Sequence, residues 1–151
     1  MYEERVLKGM TKEKLEQLGD LRAEIIELER QICKLEQREI GTVKDKVRSS
    51  YRDFPYIEGS VSIVGYDHKA MERRERLLGE KLRLLRARKL KAQELENEIT
   101  EYINAISESR IRRIMQYRYV DGLTWAEIGE TVNCDRTTAE KIVSRYLDEH
   151  L

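Results

Sequence analysis

The feature that most constrains this chain is a run of apolar residues at alternating steps of three and four: Leu18, Leu21, Ile25, Leu28, Ile32 and Leu35. That spacing places every one of them on a single stripe of an α-helix, the a/d seam of a coiled coil. It predicts a helix over 11–40. Gly41 follows directly and can adopt the left-handed conformation that ends a helix. Gly19 lies inside the pattern and weakens it by up to about 1 kcal/mol relative to alanine. The N-terminal end of the helix is therefore expected to begin late or fray.

A second helical segment is expected from about Asp67 to Ser107, with Asp67 as its N-cap. Its apolar positions include Leu78, Leu82, Leu85, Ala92, Leu95, Ile99, Ile103 and Ile106, with extra leucines at Leu77, Leu84 and Leu90. Lys81, Arg88 and Lys89 interrupt this broader seam, at positions where polar residues can fix register or partner number at some cost in stability. The two helices can fold back on each other or pair with a second chain. A lone two-helix seam is thin, so self-association, most simply a homodimer through the coiled coil, is expected. Composition agrees with long solvated helices: 38% of the 151 residues are charged, 7% are aromatic, and there is one proline.

Residues 42–66 break the helical period. Phe54-Pro55-Tyr56 does not suit a helix, Glu58-Gly59 suits a turn, and Val61 and Ile63 flank Ser62 in the alternation of a short strand. A compact β-like tip or loop is expected, with Tyr51, Phe54, Tyr56 and Tyr66 as a small aromatic cluster. Those aromatics either pack on the helix ends or form a docking tip.

After residue 107 the pattern changes to three short helices. The first covers about Ser109 to Tyr119, with Ile111, Ile114, Met115 and Tyr119 on its apolar side, and Val120 to Leu123 form a turn. Thr124-x-x-Glu127 is a capping box that opens the second helix. Gly129 is small where a neighbouring helix would cross closely. Asn133 tolerates a left-handed turn, Cys134 is expected to face inward, and Asp135 is placed to cap the third helix. Ala139, Ile142, Val143, Tyr146 and Leu147 give that helix an inner face. Its outer face then holds Arg136, Thr137, Thr138, Glu140, Lys141, Ser144 and Arg145.

Two short helices joined by a tight turn are the layout of a helix-turn-helix, whose second helix enters the major groove with its N-terminal residues toward base edges. Arg136, Thr137 and Thr138 are the candidates for base contact, since arginine can donate twice to guanine and threonine can bond a base or touch a thymine methyl. Lys141 and Arg145 suit phosphates, as do Arg110, Arg112, Arg113 and Arg118 on the first helix. Net charge is zero for the whole chain, and residues 109–151 carry seven basic and seven acidic side chains. Phosphate neutralisation supplies most non-specific affinity, so this module alone is expected to bind weakly. Residues 72–94, with nine basic side chains against four acidic, could supplement it.

The stretch Ile111-Arg-Arg-Ile-Met-Gln-Tyr-Arg-Tyr-Val-Asp-Gly-Leu-Thr-Trp-Ala-Glu-Ile-Gly-Glu-Thr-Val-Asn-Cys-Asp-Arg-Thr-Thr-Ala-Glu-Lys-Ile resembles region 4 of sigma-70-type factors. With its preceding helices and the Phe-Pro-Tyr-Ile segment, the whole chain resembles small sigma-like regulators of late genes from phages and prophages. The resemblance implies promoter contacts through Arg136, Thr137, Thr138, Glu140 and Lys141, and RNA polymerase as a candidate partner. No segment resembles the sigma region that melts promoter DNA, so an activator or accessory factor is expected rather than a complete sigma factor.

The expected architecture is all-α: a long antiparallel helical hairpin or coiled coil with a short β-like tip over 1–107, then a helix-turn-helix module over 108–151. The expected function is transcriptional regulation by binding double-stranded DNA. A phage DNA-packaging protein of the small-terminase type, or a coiled-coil assembly protein, is the alternative. An enzyme is not expected: His68 and His150 are isolated, and neither a phosphate-binding loop nor a Cys/His or Ser/His constellation appears. No cofactor or metal is expected. Cys33 and Cys134 read as reduced cysteines of a cytoplasmic protein, and no apolar run approaches the roughly 20 residues of a membrane span.

Overall fold

The computed structural model describes residues 9–50 and 58–151, with the backbone alone at 47–50 and 58. It is mostly helical, with a small antiparallel sheet. Helix α1 spans Lys12–Gln37, strands β1 and β2 span Thr42–Ser50 and Glu58–Tyr66, and helix α2 spans His68–Asn104. Helix α3 (Ser109–Met115) runs into a π-helical turn at Gln116–Val120, followed by α4 (Trp125–Val132) and α5 (Arg136–His150). The chain divides into two compact units. The first joins the residues up to Glu27 with Leu85–Leu151, and the second is Leu28–Leu84. The expected domain boundary at 107/108 falls inside the first unit.

The two long helices form close to where the periodicity puts them. Helix α1 passes through Gly19 without interruption and starts at Lys12, so the expected late start did not occur. Burial of Leu15, Leu18 and Leu21 around this glycine is worth about 1.5–3 kcal/mol per side chain, which outweighs its propensity penalty. Asp67 does cap α2: its carboxylate accepts from the amide of Ala70 at 3.1 Å.

In the first unit the core is continuous. Met10, Leu15, Leu18 and Leu21 meet Ala92, Leu95, Ile99, Tyr102 and Ile103 of α2, and then Ile111, Ile114 and Met115 of α3. Ile128 from α4 and Ala139, Val143 and Leu147 from α5 complete it. Residues rising along α1 meet residues falling along α2: Lys14 pairs with Glu98 at 3.2 Å, Arg22 with Glu96 at 3.1 Å, and Glu24 with Arg88 at 2.7 Å. These are half-exposed pairs, each contributing at most about 1 kcal/mol. Their value is to fix the antiparallel register.

The second unit shows the same antiparallel pairing, with Lys81 donating to Gln31 at 2.6 Å and Arg74 to the carbonyl of Arg38 at 3.0 Å. Thus Lys81 and Arg88, which interrupt the seam in sequence, are cross-helix donors. Leu28 and Ile32 are the only buried apolar side chains among this unit's described residues. Leu77 and Leu84 are exposed.

The expected tip is a regular hairpin. All nine residues of β1 pair with β2, from Thr42 opposite Tyr66 to Ser50 opposite Glu58. The pairing is longer than the short strand expected around Ser62, because β1 contributes a nine-residue partner whose charged run Lys44-Asp45-Lys46 hides it in the sequence. Tyr66 is exposed rather than clustered. Tyr51, Phe54 and Tyr56 lie outside the described residues.

Candidate nucleic-acid interface

The turn between α4 and α5 is built from a few residues with separate jobs. Thr124 sits in extended backbone at the N-cap of α4, and its hydroxyl accepts from the amide of Glu127 at 3.3 Å. The Glu127 carboxylate reaches back to accept from the Thr124 amide at 2.7 Å and hydroxyl at 2.8 Å. These bonds hold the Glu127 carboxyl below its ordinary pKa, the Thr124 amide contributing most. The capping box read from the sequence is therefore complete. At the far end Asn133 adopts φ 54° and ψ 52°, and the amide of Cys134 donates to the carbonyl of Gly129 at 2.9 Å.

Gly129 lies where the turn and the first residue of α5 pass close over it. A Cβ there would sit 2.7 Å from the Cys134 carbonyl oxygen and 3.2 Å from the Arg136 nitrogen. Asp135 occupies the N-cap of α5 with extended backbone, but its side chain makes no cap bond. Its backbone carbonyl instead accepts from the amides of Thr138 and Ala139 at 3.0 and 3.1 Å. Cys134 is half-buried and packs on the core, as expected of an inward-facing small side chain.

Helix α5 then divides cleanly. Ala139, Val143 and Leu147 are buried, with Ile142 and Tyr146 packed beside them. Arg136, Thr137, Thr138, Glu140, Lys141, Ser144 and Arg145 are all exposed. Among the described residues the ion pair on α5 is that of Asp148 with Lys12, and none involves Arg136, Lys141 or Arg145. The six α5 residues singled out from sequence (Arg136, Thr137, Thr138, Glu140, Lys141 and Arg145) thus share one exposed surface on one helix.

The arginines before the turn behave differently. Arg112 donates to the carbonyl of Ile106 and to the Ser109 hydroxyl, both at 2.9 Å. Arg118 donates to the carbonyl of Leu123 at 3.2 Å and lies over the Trp125 ring at 4.9 Å. Both are engaged in holding the module together. Arg113 is exposed, at 6.0 Å from the Tyr117 ring.

Sequence reasoning missed the reason Arg118 reaches Trp125. The first short helix does not continue regularly to Tyr119 but widens into a π-turn, with the Asp121 amide donating to the Gln116 carbonyl at 3.0 Å. Gly122, at φ +73°, then lets the Leu123 amide close back on the Tyr117 carbonyl at 2.9 Å. The Gly-Leu-Thr-aromatic sequence was the available signal, because it places an aromatic at the first position of the helix that follows. Arg22 of α1 donates to the carbonyl of Val120, and Lys12 pairs with Asp148. These bonds tie α1 to the short helices.

Tyr102 is fully buried and its hydroxyl finds no hydrogen-bond partner. Burial first, then the phenols of Tyr146 and Tyr119, push its pKa up to about 12. No group of His, Cys, Asp and Glu able to hold a metal ion occurs among the described residues. None of their helices is long and apolar enough to cross a membrane. No protein-family model, curated protein or solved structure matches the chain.

Proposed function

We propose that this chain is a DNA-binding transcriptional regulator, sigma-like and of phage or prophage type, and not an enzyme. In this reading residues 108–151 are a helix-turn-helix module following a helical hairpin, and α5 reads promoter DNA. Arg136, Thr137 and Thr138 reach base edges, with Glu140 beside them. Lys141, Arg145 and Arg113 meet phosphates. Arg112 and Arg118 take phosphate contacts only by exchanging the bonds they make within the module. The protein acts in the cytoplasm, as a homo-oligomer, with RNA polymerase as a candidate partner.

One observation carries the reading. The turn before α5 is over-determined by a complete capping box, a left-handed asparagine and a glycine pressed against backbone. The helix it positions keeps an unpaired polar outer face of base- and phosphate-binding residue types. A preorganised helix of this kind loses little entropy on entering a groove. The antiparallel pairing of α1 with α2, found separately within each unit, supports the hairpin half of the reading.

The test is selection from a random duplex library with the full chain. An enriched motif is expected, and Arg136→Ala should relax it at one base position, costing on the order of 1–3 kcal/mol there. Arg145→Ala should weaken binding evenly across sequences. A library that enriches nothing overturns the promoter-reading proposal, and a large ring-shaped oligomer would instead favour the DNA-packaging alternative.

A further inference from the structure

The hairpin has two open edges of opposite character. A two-stranded sheet leaves one edge of each strand unpaired, and such edges are templates for pairing with another chain unless charge or shape blunts them. Strand β1 is blunted: Lys44, Asp45 and Lys46 are consecutive and exposed, and Arg48 follows in the sequence. From Ser60 to Tyr66, β2 carries no charge at all, and every one of these residues is exposed. Val43, Val61, Ile63 and Val64 each keep at least half of their surface in solvent. A two-stranded hairpin alone is marginally stable in water.

We propose that the open edge of β2 pairs antiparallel with the same edge of a second copy of this chain, making a four-stranded sheet across a two-fold axis. Charge selects both edge and occupant. Pairing β1 with its own copy about Asp45 would set Asp45 against Asp45 and Lys44 against Lys46, like charges in direct opposition. Pairing β2 with its copy brings no charges together. With the axis at Ser62, Ser62 lies opposite Ser62, Val61 opposite Ile63 and Ser60 opposite Val64, so β-branched side chains meet on one face. In-chain register puts Val43 opposite Gly65, on the same face as Val61 and Ile63. The two copies therefore merge their apolar faces into one. An isologous contact of this kind closes on itself and stops at two chains. It does not depend on the DNA reading, and it places self-association on the hairpin rather than on the helical seam.

Ser62→Glu separates the intrachain and interchain effects. Within one chain position 62 lies opposite Lys46, where a carboxylate is favourable. Across the axis the same carboxylate meets its own copy. In sedimentation velocity, the full-length chain is expected to form dimers at micromolar concentration. Ser62→Glu should weaken them by up to about fivefold, the effect of one directly opposed like-charge pair. Lys44→Glu, on the other strand, should leave them intact. Mixing the Ser62→Glu chain with a Ser62→Lys chain that also carries Lys46→Glu, so that each keeps opposite charges across its own hairpin, should restore dimers. A monomeric wild-type chain, a dimer indifferent to Ser62→Glu, equal loss with Lys44→Glu, or a mixture that does not associate would each overturn the proposal.

Discussion

At the scale of single residues, the region before α5 is governed by backbone demands. Asn133 could be read from sequence because asparagine tolerates the left-handed region and sits where the helical pattern breaks. Gly129 was recognisable as a close approach, but its neighbour was not, since only the folded turn brings the Cys134 carbonyl against it. Gly129→Ala forces that turn to shift, because the clashing atoms are backbone. It should cost about 1–3 kcal/mol, the usual range for overpacking. Urea denaturation measures this, and an unchanged midpoint would refute the close contact. Tyr102 makes a second residue-scale prediction. Its phenol titrates near 10.0 when unfolded and at about 12 when folded. A raised folded pKa gives stability that is fully present below the unfolded value and is lost as pH rises from there through about 12. Tyr102→Phe removes that contribution and also removes a buried donor without a partner. The variant should be at least as stable as wild type at neutral pH, and should lose less stability between pH 10 and about 12 in parallel thermal melts, the window set by the same linkage.

At the scale of elements, legibility followed locality. The capping box of α4, the Asp67 cap and the seam of α1 depend on residues three or four apart, and each was readable from spacing alone. Features that depend on distant partners were not. Asp135 has the right residue type for a side-chain cap, yet its backbone carbonyl does the bonding. The π-turn at Gln116–Val120 has no composition of its own, and Arg118 over Trp125 follows from it. Strand β1 was hidden because Lys44 and Lys46 look like loop residues until β2 supplies the pairing. The capping box gives the element-scale prediction. Thr124→Ala removes the hydroxyl that accepts from Glu127 and should cost about 1 kcal/mol. Because the Glu127 carboxyl is held below its ordinary pKa, its part of the cap is present above the unfolded value of 4.5 and is lost as pH falls through the folded one. The gap between wild type and Thr124→Ala should therefore narrow in acid. Stability curves at neutral pH and at acid pH compare them directly, and a gap that widens in acid would exclude the reciprocal bond.

At the scale of the whole molecule, charge decides how a reader of this kind would work. Seven basic side chains in residues 109–151 are matched by seven acidic ones, and Arg112 and Arg118 already donate to the backbone carbonyls of Ile106 and Leu123. Five exposed cations remain, Arg110, Arg113, Arg136, Lys141 and Arg145, of which the proposed interface uses Arg113, Arg136, Lys141 and Arg145. If Arg136 reads a base and the other three meet phosphates, each chain releases about three counterions. The logarithm of affinity should then fall against the logarithm of salt with a slope near 3 × 0.9, or about 2.7 per chain. A dimer bound as one unit should double this to about 5.4. Arg145→Ala should lower the slope by about 0.9 per chain, whereas Arg136→Ala should change sequence preference with a smaller effect on slope. Fluorescence anisotropy titrations across a salt series separate these outcomes. A slope that ignores Arg145→Ala would move the phosphate contacts off α5, most directly to the basic run at 72–94. A slope near 5.4 that Ser62→Glu halves would show that the hairpin edge supplies the second DNA-binding module.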